Sequence, residues 1–216
     1  MTPDLADVQR ATLDAYADQL RRLNRAFNLV SPRTVRDIPR LHVEHCLALA
    51  ARPLVPGTVL VDWGSGGGLP AVPLAVASPE VDVVAVDSVG KKTEAVRLFA
   101  RRLDIPNLSA WNGRAEAYDG PAPHLSVSRA TAPLADLWAW HAAAAAPLPD
   151  PPAPPTADEP LALDRAWAPG LLCLKGGDLA DEIAALRAAH GDLRVVTWAL
   201  SDRFGDAKKV VWVGAA

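Results

Sequence analysis

At 216 residues and 50% hydrophobic content, the chain supports one full α/β domain with a small accessory segment and is too apolar for a disordered tail. Cys46 and Cys173 lie far apart without ligand spacing, read as reduced thiols, and rule out an iron–sulfur cluster on clustered cysteines. The net charge of −3 marks no general nucleic-acid binder, and the lack of a long apolar run or of a basic-then-apolar start at Met1-Thr2-Pro3-Asp4 leads us to expect a cytoplasmic protein without a membrane span.

Residues 4–27 carry Leu13, Tyr16, Leu20, Leu23 and Phe27 at steps of three and four, the apolar stripe of a helix packed on the main domain. A second helix is expected over 34–52, started by Thr34 with Asp37 as a capping pair. Across these helices Arg21, Arg22, Arg25, Arg33, Arg36, Arg40 and Arg52 face only Asp37 and Glu44 in sequence. Such a positive face can meet phosphates, or can be a solvated helix surface. Residues 1–55 are therefore expected to form an N-terminal helical segment on the core, and 56–216 the main domain.

Val59 to Val61 is an apolar run, as expected of a strand buried on both faces. Gly64, Gly66 and Gly68 follow, then Pro70 at a helix start. Val81 to Val86 is the next strand, closed by Asp87, about 20 residues beyond the turn, where a ribose-binding acid is expected. A helix through Val96, Leu98, Phe99 and Leu103 precedes a strand over Leu108–Trp111. Leu125–Arg129 is a fourth strand, with a helix over 134–146 after it. The proline-rich stretch 147–160 reads as an exposed loop. Leu171–Leu174 is the fifth strand, Asp181–Ala189 a helix, and Arg194–Leu200 with Lys209–Val213 a closing antiparallel hairpin. The expected fold is thus α/β: a Rossmann-like, mostly parallel seven-stranded sheet with a terminal antiparallel hairpin, preceded by N-terminal helices.

Two ligand classes share this glycine turn. Gly66-x-Gly68-x-x-Ala71 satisfies the dinucleotide pattern, which leaves an NAD-dependent oxidoreductase open. Asp62, at the end of the first strand, favours S-adenosylmethionine (SAM). A pyrophosphate wants N–H groups and no carboxylate beside it, whereas SAM carries an ammonium and a sulfonium. On this reading Asp62, Gly64, Ser65, Gly66, Gly68, Asp87 and Ser88 hold the cofactor. Asp62, Asp87, Glu116, Arg129 and Lys175 all fall at C-terminal strand ends and converge on one cleft. His42-x-x-His45 would be half a metal site, but no third ligand stands at suitable spacing, so no metal is expected.

Several pieces, in order, resemble one family. They are Asn24-x-x-x-Asn28-Leu29-Val30-Ser31, His42, Asp62-Trp63-Gly64-Ser65-Gly66-Gly67-Gly68-Leu69-Pro70, Asp87-Ser88-Val89-Gly90-Lys91-Lys92, Arg114-Ala115-Glu116, Ser128-Arg129-Ala130 and Leu174-Lys175-Gly176. The chain resembles the bacterial 16S ribosomal RNA guanine-N7 methyltransferases, the RsmG or glucose-inhibited division protein B family. It departs from that family's usual pattern at Leu23, Trp63, Ala71 and the His45-Cys46 pair. The resemblance implies SAM contacts from Gly64, Leu69, Ala115, Glu116 and Arg129, with Glu116 toward the adenine. It implies a basic RNA entrance of Lys91, Lys92, Arg114 and Lys175, to which Arg25 and His42 are added as RNA-facing candidates. Arg129 and Lys175 would orient the target. The implied partner is 16S rRNA in the small ribosomal subunit, methylated by a monomer. Guanine N7 has a free lone pair, so no general base is required, and neither an Asn-Pro-Pro-Tyr motif nor a Pro-Cys pair is present. A methyltransferase of a small molecule or protein shares the SAM site and needs none of the basic residues.

Overall fold

A computed structural model describes residues 3–31, 34–129, 131–201, 204 and 207–215. Arg33 of the arginine-rich stretch and Ala130 of the Ser-Arg-Ala piece lie outside the described residues.

The apolar stripe of the first segment folds as helix α1 (Asp7–Phe27), which buries Leu13, Tyr16, Ala17, Leu20 and Asn24. The expected second α-helix is instead a mixture. A 3-10 turn (Val35–Asp37) leads into a π-helical stretch (Pro39–Glu44), a short α2 (His45–Leu47) and another 3-10 turn (Ala48–Ala50). Pro39 lacks the N–H that would bond the preceding turn, although Ile38 before it keeps helical dihedrals, and the hydrogen-bond pattern changes there. Asp37 does not cap with Thr34. It accepts from Arg40 at 2.7 Å, and Thr34 turns its hydroxyl to the Ser31 carbonyl at 3.2 Å.

The α/β unit then runs β1 (Val59–Trp63), α3 (Ala71–Ala77), β2 (Asp82–Asp87), α4 (Gly90–Arg102), β3 (Leu108–Asn112), β4 (Leu125–Arg129), α5 (Leu134–Ala144), β5 (Gly170–Gly176), α6 (Ala180–His190), β6 (Leu193–Ala199) and β7 (Lys208–Ala215). The strands form a seven-stranded sheet in the order β3-β2-β1-β4-β5-β7-β6. Only β7 is reversed: it pairs antiparallel with both β5 and β6, while β1, β2, β3, β4 and β5 pair in parallel. The strand order changes direction between β1 and β4. In open α/β sheets ligands bind at that point, beyond the carboxyl ends of the strands.

The period-2 alternation of the strands sends side chains into two cores. Leu60, Ala85, Val127 and Leu172 pack beneath α1, α3 and α4. Val61, Trp63, Val86 and Leu171 pack on the other face with Leu134 and Leu137 of α5. The N-terminal helix is joined to the glycine turn: the Tyr16 hydroxyl donates to the Gly67 carbonyl at 2.8 Å, and the Tyr16 ring meets Phe99 edge-on at 5.1 Å.

The proline-rich stretch is not simply an exposed loop. Its end folds over Arg52, which is 1% exposed. The guanidinium donates to the Glu159 carboxylate at 3.0 Å and to the carbonyls of Leu161 at 3.0 Å and Pro160 at 2.9 Å. Its charge lies 4.8 Å from the Trp167 ring centroid and 5.3 Å from that of Trp198. Arg52 therefore belongs to no phosphate-facing surface. No described helix is long and apolar enough to cross a membrane.

Candidate active site

Beyond the ends of β1, β2 and β3 lies a cleft of about 270 Å³. Its lining includes Gly64, Asp87, Ser88, Arg114, Ala115 and Glu116, all expected from the sequence. Lys92 lines it too, with its ammonium 3.5 Å from Asp87. Asp87 is the last residue of β2, so its carboxylate clears the sheet and meets the glycine turn. Oδ2 accepts from Gly66 N–H at 3.0 Å and Oδ1 from Val89 N–H at 2.9 Å. This acid therefore fixes both loops of the cleft. Gly64 has φ +73°, and a Cβ there would fall 2.0 Å from Thr131 Cγ2, so the turn requires glycine at this point.

Asp62 stands apart from the cleft lining. The sequence places it in the cleft as the carboxylate that selects the ligand; the structure buries it completely and leaves it out of the lining. Alternation puts Asp62 on the Leu60 face, under α3, where Oδ2 accepts from Ala71 N–H at 3.0 Å. Oδ1 and the neighbouring Ser65 hydroxyl have no partner among the described residues. Burial pushes the Asp62 carboxyl up to about 7, the Ala71 bond and Arg129 opposing the shift. Ser65, Gly68 and Leu69 likewise stand behind the turn rather than in the cleft: Ser65 and Leu69 are buried, and Gly68 packs on Val72. They shape the turn.

His42 is held between two protein partners. It is buried, not turned to a substrate. Arg129 donates from Nη1 to His42 Nδ1 at 2.6 Å, so the other ring nitrogen carries the proton and donates to Thr34 Oγ1 at 2.8 Å. Burial, and secondly the Arg129 charge, lower the His42 pKa to about 4. Lys175 is likewise held by protein partners. It is 8% exposed and donates to the Ala132 carbonyl at 2.6 Å and to Glu182 Oε1, so its charge is already matched. Arg25, Lys91 and Arg114 are exposed, as an entrance for phosphates requires. Arg21 and Arg40 are also exposed but pair with Asp18 and Asp37.

Thr131, Trp140 and Gly113 line the cleft and were not anticipated. Thr131 directly follows the Ser-Arg-Ala piece, which was a usable signal. Trp140 carried none. It reaches the cleft through a cluster in which Trp63 meets Tyr118 at 5.1 Å and Trp140 at 6.3 Å, contacts between elements distant in sequence. Among the described residues no group of three or more histidines, cysteines and acids could hold a metal ion.

The family model described as rRNA small subunit methyltransferase G (GidB) matches residues 9–147. The chain belongs to this family. It is 53% identical over 197 residues to the ribosomal RNA small subunit methyltransferase G of Salinibacter ruber, covering 91% of this chain and 86% of that one. It is 34% identical over 195 residues to the protein of the same description from Cytophaga hutchinsonii, covering 89% and 86%. In fold it matches an O-methyltransferase from Bacillus cereus solved in complex with SAH, with TM-score 0.54, 14% identity and 95% and 96% of the two chains covered. The fold is that of the SAM-dependent methyltransferases, and the cofactor is SAM. The cleft suits it: a glycine turn that a Cβ would block, a carboxylate at the end of β2, and the apolar walls Val86, Val89 and Trp140.

Proposed function

We propose that the protein transfers the methyl group of SAM to N7 of a guanine in 16S rRNA of the small ribosomal subunit. The observation that carries the chemistry is the state of the polar groups around the end of β4. His42 Nδ1 is taken by Arg129, Lys175 by Ala132 and Glu182, and Glu182 by Lys175 and the Leu134 N–H at 2.7 Å. Each holds at least one protein partner, and the Glu182 carboxylate is ion-paired with Lys175, so the arrangement suits a nucleophile that needs no proton removed. Guanine N7 attacks with its own lone pair. Bound SAM supplies an electrophilic methyl group. The protein's part is then positioning and exclusion of water.

In this reading Gly64, Asp87, Ser88, Ala115, Glu116, Thr131 and Trp140 bound the cofactor cleft. Arg129, held by His42, orients the target beside it. The exposed Arg25, Lys91 and Arg114 hold RNA phosphates, and residues 1–55 present part of that surface while also bracing the glycine turn through Tyr16. A single subunit in the cytoplasm completes the site. Removing the N-terminal helices would therefore weaken SAM binding as well as RNA binding.

The test is transfer of labelled methyl from SAM to small subunits lacking N7-methylguanine, with the product base mapped. Incorporation at one guanine N7, falling steeply with salt, is expected. Methyl at N1 or an amino group would make Glu182 a base and overturn the reading. Salt-insensitive transfer to a small molecule would favour the other methyltransferase class.

A further inference from the structure

A second groove of about 420 Å³ adjoins the cofactor cleft and shares Thr131 with it. Its other walls are Ala132, Pro133, Lys175, Gly176 and Glu182. Ala132, Pro133 and Gly176 are small and apolar, a surface for a flat ring. Its two charges, Lys175 and Glu182, neutralise each other, so it suits an uncharged heterocycle better than a phosphate, which calls for an uncompensated cation.

The pair is oriented asymmetrically. Both protein donors on Glu182, the Lys175 ammonium and the Leu134 N–H, converge on Oε1. A carboxylate serving only to cap α5 would be free to use both oxygens. Here Oε2 has no protein partner among the described residues. The Lys175 ammonium has three N–H groups, of which Ala132 and Glu182 take two. One Lys175 N–H and Glu182 Oε2 thus remain without a protein partner among the described residues, on two residues that both line the groove.

We propose that Lys175 and Glu182 read the base to be methylated: Lys175 Nζ donates to O6 of guanine, and Glu182 Oε2 accepts from its N1–H and N2–H. The inference rests on the guanine reading above and adds how that base is selected. Guanine presents acceptor, donor, donor along this edge. Adenine and cytosine present an amino donor where Lys175 donates and a bare nitrogen where Glu182 accepts, so both contacts become repulsive. N7, beside O6 on the five-membered ring, takes part in neither contact and keeps its lone pair free to face the cofactor. A site built around such contacts rejects a base lacking them, because its own polar groups are left unpaired.

The experiment compares small subunits reconstituted with guanine, inosine or 2-aminopurine at the target position, with labelled SAM as donor. Inosine keeps O6 and N1–H and is expected to react within about tenfold of guanine, one hydrogen bond being lost. 2-Aminopurine keeps N7 but lacks O6 and N1–H, and is expected to react at least ~100-fold more slowly. In Glu182→Gln the amide oxygen stays with Lys175 and Leu134 and the amide nitrogen faces the groove. Transfer to guanine should fall at least ~100-fold, the gap to 2-aminopurine should narrow, and calorimetric SAM affinity should hold. Equal rates on guanine and 2-aminopurine with the wild-type protein overturn the inference even if the variant does not fold. So does a Glu182→Gln protein with wild-type transfer to guanine. Absence of any transfer to guanine by the wild-type protein overturns the activity reading, and this inference with it.

Discussion

Arg129 and His42 meet across 2.6 Å, a hydrogen bond that joins the end of β4 to the irregular helix of the N-terminal segment. The bond fixes the guanidinium, and the ring is fixed in turn by Thr34. A neutral imidazole is required, because a protonated one has no acceptor for Arg129.

Replacing His42 therefore acts on Arg129. His42→Ala is expected to lower methyl transfer about tenfold or more, mainly in kcat, by loosening a charged hydrogen bond. His42→Asn puts an oxygen where Nδ1 stood and should recover most of the rate. His42→Gln keeps only the Thr34 side and should not. In an Arg129→Ala background, His42→Ala should add little, and a full second loss there would show that His42 acts independently.

Gly64→Ala tests the glycine turn. Alanine at φ +73° is strained by roughly 1–3 kcal/mol, and its methyl would displace Thr131 from the cleft wall. SAM affinity measured by calorimetry should drop at least ~10-fold, each step of that size being about 1.4 kcal/mol. Unchanged affinity would place the cofactor elsewhere.

Arg52 is predicted to matter for stability and not for RNA. Arg52→Ala leaves the Leu161 and Pro160 carbonyls without their donor and removes the guanidinium packed near Trp167 and Trp198, while Glu159 keeps Arg165, at a cost of about 3 kcal/mol. A melting temperature lower by roughly 10 °C is expected for a chain of this size. Arg52→Met keeps the apolar stem and should lose less. Equal, small losses would mean the proline-rich segment is not anchored there.

Acid stability has a definite sign. His42, His45 and His141 have folded pKa values lowered to about 4 from 6.5, in each case chiefly by burial. The unfolded chain thus binds more protons between these values, so this stability is complete above about 6.5 and is lost as pH falls toward 4. Asp62 runs the other way. Its carboxyl is raised to about 7 from 3.8, so it disfavours folding progressively as pH rises through that interval. Melting temperature should fall from pH 6.5 to 4.5, and more steeply in Asp62→Asn, where the opposing titration is gone. Parallel curves would sink the Asp62 assignment.

Amino-acid order alone determined the alternation of strands and helices, the reversed last strand, the glycine turn and the acid at Asp87. These follow from local rules: runs of Val, Leu and Ile set strands, glycines permit positive φ, and a carboxylate at a strand end clears the sheet. Tertiary structure decided what surrounds each polar group. Asp87 closes β2 and clears the sheet into the cleft, whereas Asp62 stands one residue before the end of β1, opposite Ala85, and alternation turns it to α3. Arg52, His42 and Lys175 look like surface cations or ligands in the sequence. Their partners Glu159, Arg129 and Glu182 are brought to them by other elements of the fold. A charge's role depends on its partner and its exposure, and long-range packing sets both.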